Sequence, residues 1–449
     1  MTFLIFICLA ALFWLLWILR RDRLSLGLPI AYLYSLLLIH VPGAFAHIAG
    51  RDFLLHSDVI ELGMRFTALG SICFVAGVWW ARFRLSFVIT PIRGEADRDH
   101  FWWFCLFGGW SLIYGLSPLF RIPSIGAAVE KGGAIWMLGV MLGLRAACQR
   151  RDLKRIAIWI GALMVYPVLM LLLGGFLSYG SSAIIIVCAA LTISTRSYWR
   201  VVVGITVFVF LSLSIFVNYF EHRNDIRDQV WGGASLKARI DSVTDTVRGF
   251  EWFDPGNQKH LIALDERLNQ NYFVGLAARR IQIGQADYLD GDSVWQGLLS
   301  LVPRILWPDK PVFAGSPEIV SKMTGLHLSP TTSFGVGNVM EFQINFGIPG
   351  VVVGFAVLGW VIGTLDRKAA AAEARGDLGG LILFFLPAVA LVDPQGSLVE
   401  VFSGSAAALV AAYGWKWAWK HWVAHRANSI KRYSHPHEAV VKASRLKID

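Results

Sequence analysis

The sequence predicts an all-α polytopic membrane protein with about eleven transmembrane helices and one large, partly helical outer loop. Three observations carry that expectation. Apolar runs of 15–20 residues recur along the 449 residues, and as helices such runs satisfy their own backbone polar groups in lipid. Only 16% of residues are charged, against about 25% in soluble domains. Basic residues collect after every second run, as expected of cytoplasmic segments.

The runs fall at 1–19, 25–42, 58–80, 101–117, 132–147, 156–176, 180–195, 201–219, 345–364, 378–392 and 397–415. The first lacks a basic leader and a small-residue cleavage site, so it reads as a retained span. Those at 101–117 and 378–392 are short. Arg20, Arg21 and Arg23 follow the first run, and Arg82, Arg84, Arg93 and Arg98 the third. Arg145, Arg150, Arg151, Lys154 and Arg155 follow the fifth, Arg196 and Arg200 the seventh, and Arg367, Lys368 and Arg375 the ninth. A basic tail follows the eleventh. The alternate connections hold little beyond Arg51, Arg121 and Lys131. The N-terminus is therefore expected outside and the C-terminus inside. The divisions are 1–217, a membrane domain of eight spans; 218–344, the periplasmic loop; 345–415, three further spans; and 416–449, a cytoplasmic tail suited to anionic lipid headgroups.

The formal net charge of +10 would suggest a nucleic-acid partner in a soluble protein. Here the loop carries 12 basic and 15 acidic residues. The excess positive charge thus lies on the cytoplasmic side, and no nucleic-acid partner is expected. The five cysteines sit in or beside apolar runs, so neither a disulfide framework nor a metal site is expected. His435-Pro436-His437 has no partner cluster and is not read as a metal site. No internal repeat is visible, which weighs against a transporter.

Structureless loops of this length are uncommon and often functional. Residues 234–252 and 260–283 predict amphipathic helices, the latter with Leu261, Leu264, Leu268 and Leu276 at helical spacing. Residues 293–302 are nearly all apolar but too short to span, so they are expected in the interface or re-entering the membrane. Ser316-Pro317-Glu318 predicts a helix start.

Pro303, Pro308 and Pro311 stiffen the next segment and forbid a regular helix. They hold Arg304, Asp309 and Lys310 on a fixed backbone. Cations held at a membrane surface suit a phosphate or diphosphate headgroup; solvated charges on a turn are the plain alternative. Residues 333–350 form the second informative stretch. Glu341 stands at the mouth of the ninth span, with Asn345 four residues on. A carboxylate beside an apolar span is a functional candidate, though a helix-entry acid serves the dipole equally. Other candidate cations are Arg223 and Arg227 past the eighth span, Arg267, and Arg279-Arg280; Arg65, Asp393 and Glu400 are further ionisable residues near spans.

The run Pro303 to Pro311 (PRILWPDKP) resembles the loop signature of bacterial oligosaccharide repeat-unit polymerases, the Wzy-type O-antigen and exopolysaccharide polymerases of lipopolysaccharide and exopolysaccharide biosynthesis. Gly337, Glu341, Asn345, Phe346, Gly347 and Gly350 look like that family's pattern of an acidic residue before Asn-Phe-Gly. The architecture agrees over the whole chain, the motifs over about fifty residues. One departure stands: relatives often carry an arginine after the glycines of a mid-chain span, and Gly174-Gly175-Phe176-Leu177-Ser178 has none. The resemblance implies a GT-C-like, metal-independent, membrane-embedded glycosyltransferase that needs no cofactor. It would join repeat units carried on undecaprenyl diphosphate at the periplasmic face of the inner membrane, alongside a flippase and a chain-length regulator as partners. Arg304, Lys310, Arg279 and Arg280 would then bind diphosphate, with Arg223, Arg267 and Asn345 as secondary candidates. Glu341 would act as base, Asp309 as reserve. Trp295, Trp307 and Phe334 would stack on sugars. An O-antigen-ligase-like transferase is the nearest rival, a polysaccharide flippase the rival of another class, and a non-catalytic assembly scaffold the third.

Overall fold

The computed structural model describes residues 1–50, 56–84, 98–122, 124–175, 178–195, 197–310, 316–328 and 335–445, leaving aside side chains at 84, 117, 121, 178, 179, 316 and 427–445. Pro311, Phe334 and the side chains of His435 and His437 lie outside the described set. Among the described residues all regular structure is helical.

The membrane half begins with α1 (Thr2–Asp22), α2 (Leu28–Ala49) and α3 (Ser57–Arg84). Next come α4 (Arg98–Trp110), which runs into a π turn at Ser111–Gly115, and α5 (Ile125–Gly133) with α6 (Ile135–Arg150). α7 (Leu153–Gly174), α8 (Ser178–Ser194) and α9 (Tyr198–Trp231) follow. The loop holds α10 (Leu236–Arg248), α11 (Gln258–Arg267), α12 (Gln270–Gln282), α13 (Asp292–Ser300) and α14 (Ser316–Thr324). α15 (Asn338–Arg375), α16 (Leu378–Leu391) and α17 (Leu398–Arg445) close the chain.

Each of the eleven apolar runs is thus helical, but among the described residues eight helical stretches, with α5 and α6 taken as one (Ile125–Arg150), are long and apolar enough to cross a membrane. The runs at 180–195 and 378–392 form shorter apolar helices, and the run at 101–117 is a 13-residue helix plus the π turn. Large apolar side chains of α1, α7 and α9 stand exposed, among them Phe3, Phe6, Ile158, Val168, Val207 and Phe210. Such stripes fit lipid rather than water.

α3 and α15 form the spine. Their backbones meet where Gly77 faces Ala356 and Gly359 faces Phe74, places a Cβ would fill with backbone overlap; small residues permit such approach. About 40 Å along α15 from the loop, four charges interlock. Buried Asp366 accepts from Arg82 Nη2 (2.6 Å), Ser25 Oγ (2.7 Å), and the amides of Leu26 (3.0 Å) and Leu28 (3.2 Å). Arg82 also pairs with Asp22, and Arg367 donates to Asp22 (3.0 Å) and to the Arg82 carbonyl (2.6 Å). The ends of α1, α3 and α15 and the start of α2 are tied together there.

α9 stays helical to Trp231 and α15 starts at Asn338, so the segment between these helices is 232–337, inside the expected loop of 218–344. Hydropathy marks where a helix leaves lipid, not where it ends; at 34 residues α9 is about 51 Å long against a roughly 30 Å hydrocarbon core. The predicted helix at 260–283 is two helices, broken at Leu268-Asn269.

Candidate functional site

That break is what fixes the loop on the bundle. Pro42 inside α2 lacks an N–H and disturbs the local ladder. The Gly43 amide donates to Leu268 O at 2.9 Å instead. Asn271 Nδ2 donates to His40 O (2.7 Å), while Asn271 Oδ1 accepts from Thr67 Oγ1 (2.9 Å) and lies 2.8 Å from His40 Nδ1. A helix interrupted by proline inside a membrane protein needs such replacement partners. α12 then lies on α3, where a Cβ at Gly63 would meet Asn271 O and one at Gly275 would meet Val59 O. α11 covers α2, and Asp265 reaches His47 Nε2 at 2.7 Å.

α13 carries the two segments singled out in the sequence. Its C-terminal end meets Lys310, whose buried Nζ donates to Ser300 O (3.2 Å) and Val302 O (2.7 Å). An ammonium at a helix C-terminus serves the orphan carbonyls and the dipole. Burial, and behind it the charge of Arg304, holds Lys310 below its ordinary range. At the other end, Ser293 accepts from Asn345 Nδ2 (2.7 Å), which also donates to Glu341 O (2.6 Å). Glu341 is fully buried. Its Oε2 accepts the Leu398 amide at 2.7 Å in the first turn of α17. The Ser293 hydroxyl stands beside the carboxylate, and Oε1 lacks a well-formed partner. α13 thus links the proline segment to Glu341 through its own length, with residues 293 and 300 about 10 Å apart along the axis; Lys310 and Glu341 are buried charged residues at its two ends.

The remaining predicted residues are dispersed. Arg304 is exposed and donates to Pro308 O (3.2 Å), and Asp309 is exposed. Residues 301–310 form turns, as the prolines require. Arg279 pairs with Asp58 at the start of α3. Arg280 donates to Thr324 O (3.4 Å) and Gln285 O (3.3 Å), tying α12 to α14. Trp295 and Trp307 are exposed. Arg65 pairs with Glu61 on the surface (2.9 Å), and Asp393 and Glu400 accept local amides in the turn before α17.

A different set of cations converges. Arg223 and Arg227 on α9 lie close enough to Arg267 on α11 that burial, followed by their two charges, holds the Arg267 guanidinium below its ordinary range. Arg227 Nη2 reaches Tyr219 Oη (3.5 Å), and that hydroxyl donates to Gly175 O (2.8 Å). A Cβ on Gly175 would lie 3.3 Å from Arg227 Cγ. The glycine pair that lacks an arginine in sequence therefore has one beside it in space. Sequence reading named these residues singly. Nothing in their spacing showed that α11 folds back onto α9, where Asn218 grips both the amide (2.9 Å) and carbonyl (2.7 Å) of Glu251. Tyr288 and Asp290 were missed altogether; the positive φ of Asp290, 47°, has no signature in sequence. Among the described residues no group of three or more His, Cys, Asp or Glu side chains is placed to hold a metal ion.

Comparison with protein-family models, curated proteins and solved structures finds no match to this chain.

Proposed function

We propose that the chain is a multi-pass bacterial inner-membrane glycosyltransferase that polymerises undecaprenyl-diphosphate-linked repeat units at the periplasmic face, with its N-terminus outside and its tail inside. The observation that carries this reading is the folding of α11 back onto α9, held by Asn218 on Glu251, which brings Arg267 near Arg223 and Arg227, with Arg227 against Gly175 and Tyr219. Planar guanidinium groups gathered at one place suit the bidentate recognition of a diphosphate. Fixed guanidinium groups also stabilise the charge that grows on a departing diphosphate, often a large contribution to catalysis. Arg223 and Arg267, secondary in the sequence reading, become the principal headgroup ligands together with Arg227. Arg279, Arg280 and Lys310 are engaged in tying helices together, and Arg304 is left as an outer cation.

The acceptor hydroxyl needs a proton acceptor. Glu341 is the proposed base because Oε1 retains acceptor capacity; Asp309 is the reserve. The supporting architecture is a many-helix bundle with its loop helices held on the membrane half.

Reconstitution of the purified chain with a lipid-linked repeat unit should yield polymer and free lipid diphosphate. Arg227→Ala and Arg267→Ala should each slow this by the value of a charge-assisted hydrogen bond, about 1.5–3 kcal/mol, or roughly 10–150-fold. Absence of any polymer and any released diphosphate from the wild type would sink the reading. Transfer of finished glycan to a lipid A core, without lengthening, would assign a ligase, and movement of the intact lipid across the bilayer a flippase.

A further inference from the structure

α15 is interrupted at Gly347 (φ 62°, ψ −140°), with Pro349 two residues on. The Ile344 carbonyl accepts the Leu289 amide at 2.9 Å, which brings the segment before α13 against the break. The two form a groove of about 550 Å³, bordered by Tyr288 and Asp290 from that segment and by residues 345–349. Small-molecule sites commonly have volumes of about 300–1,000 Å³.

The chemistry of the lining is selective. Asn345 is 1% exposed. Both hydrogen bonds it makes use its Nδ2, while Oδ1 has no partner. A buried acceptor left open calls for a donor. Asp290 adds a carboxylate on an exposed, left-handed residue, a conformation uncommon outside glycine and found at ligand sites. Phe346 and Tyr288 present half-exposed rings, and Gly291 leaves room for the Phe346 ring, 2.7 Å from where its Cβ would be. Among the described residues no cation lines the groove. A carboxylate with no cation beside it repels phosphate, so the lipid diphosphate belongs elsewhere. Two acceptors and two ring faces suit a neutral ligand with hydroxyl donors and an apolar C–H face.

We propose that the groove at the Gly347 break of α15 binds a neutral sugar, whose hydroxyls donate to Asn345 Oδ1 and the Asp290 carboxylate and whose C–H face covers Phe346. Under the function proposed above, and resting on it for this point alone, that sugar is the acceptor unit. Its place beside Asn345 puts it one residue contact from Glu341.

The test uses the full chain in lipid nanodiscs and saturation-transfer NMR with the methyl glycosides of glucose, galactose, mannose, rhamnose, N-acetylglucosamine and N-acetylgalactosamine. Binding of at least one is expected. Asp290→Gly, which keeps the backbone conformation accessible, and Phe346→Leu should each weaken it at least about tenfold, the scale of one or two lost hydrogen bonds or a lost ring contact. No binding by any of the six, or unchanged affinity in both variants, overturns the proposal. If the wild type binds sugar through these residues but makes no polymer, the groove stands and the polymerase reading falls. If polymer forms with unchanged acceptor KM in both variants, the groove falls and the polymerase reading stands.

Discussion

Asp366→Asn should cost more stability than any surface substitution in the protein. The carboxylate is 0% exposed and Arg82 is 8%. The interlock contains two acids and two arginines, Asp22, Asp366, Arg82 and Arg367, and is neutral. Removing one acid leaves an excess guanidinium charge out of water, a perturbation that costs about 3–5 kcal/mol at buried pairs. Asp366→Ala goes further, because the Leu26 and Leu28 amides lose their acceptor, at about 1–3 kcal/mol each. Against a total stability of about 5–15 kcal/mol, the alanine variant should barely accumulate as folded protein. Unfolding by SDS titration in mixed micelles measures the first, and detergent size-exclusion yield the second. A double-mutant cycle with Arg82→Met isolates the pair, and Asp366→Asn should cost at least about 1 kcal/mol less in that background. A loss below about 1 kcal/mol for Asp366→Asn, or strictly additive costs, would refute the assignment of these charges as an interlocked buried set.

Glu341→Gln keeps an acceptor for the Leu398 amide and should change stability by only about 1 kcal/mol, while polymer formation falls by about 10²-fold or more if the carboxylate is the base. Persistent long chains at normal protein levels would reduce Glu341 to a cap on α17. Lys310→Met leaves the carbonyls of Ser300 and Val302 without their donor and should cost about 2 kcal/mol, so any loss of polymer must be normalised to folded protein. The Lys310 ammonium titrates lower in the folded state than its ordinary 10.5. The unfolded chain therefore holds more protons between the folded value and 10.5, and the wild type should gain stability relative to Lys310→Met as pH rises towards 10.5; a stability difference that stays constant up to that pH contradicts this. Gly275→Leu would drive a side chain into the Val59 carbonyl and lift α12 from α3, costing about 1–3 kcal/mol or more, seen as a lower unfolding midpoint and faster proteolysis of the loop.

The sequence by itself determined the apolar helices, because burial in lipid demands long runs and a run is a local property. It also located the loop helices at 236–248 and 292–300 to within a few residues, the start of the one at 316, and the irregular backbone at 301–310, where proline sterics leave little choice. It marked Glu341, Asn345 and Lys310 as unusual, and each is buried. What it could not rank was their use. Whether an ammonium waits for phosphate or closes a helix depends on which carbonyls lie within hydrogen-bond distance, and for Lys310 these belong to residues eight and ten positions earlier. The break at Leu268-Asn269 was hidden because leucines keep helical spacing through it; the partner of its Leu268 carbonyl, the Gly43 amide beside Pro42, lies more than two hundred residues away. Likewise Arg223, Arg227 and Arg267 were unremarkable one at a time. Only the folding of α11 onto α9 set their charges together, since electrostatic repulsion depends on distance in space and not along the chain.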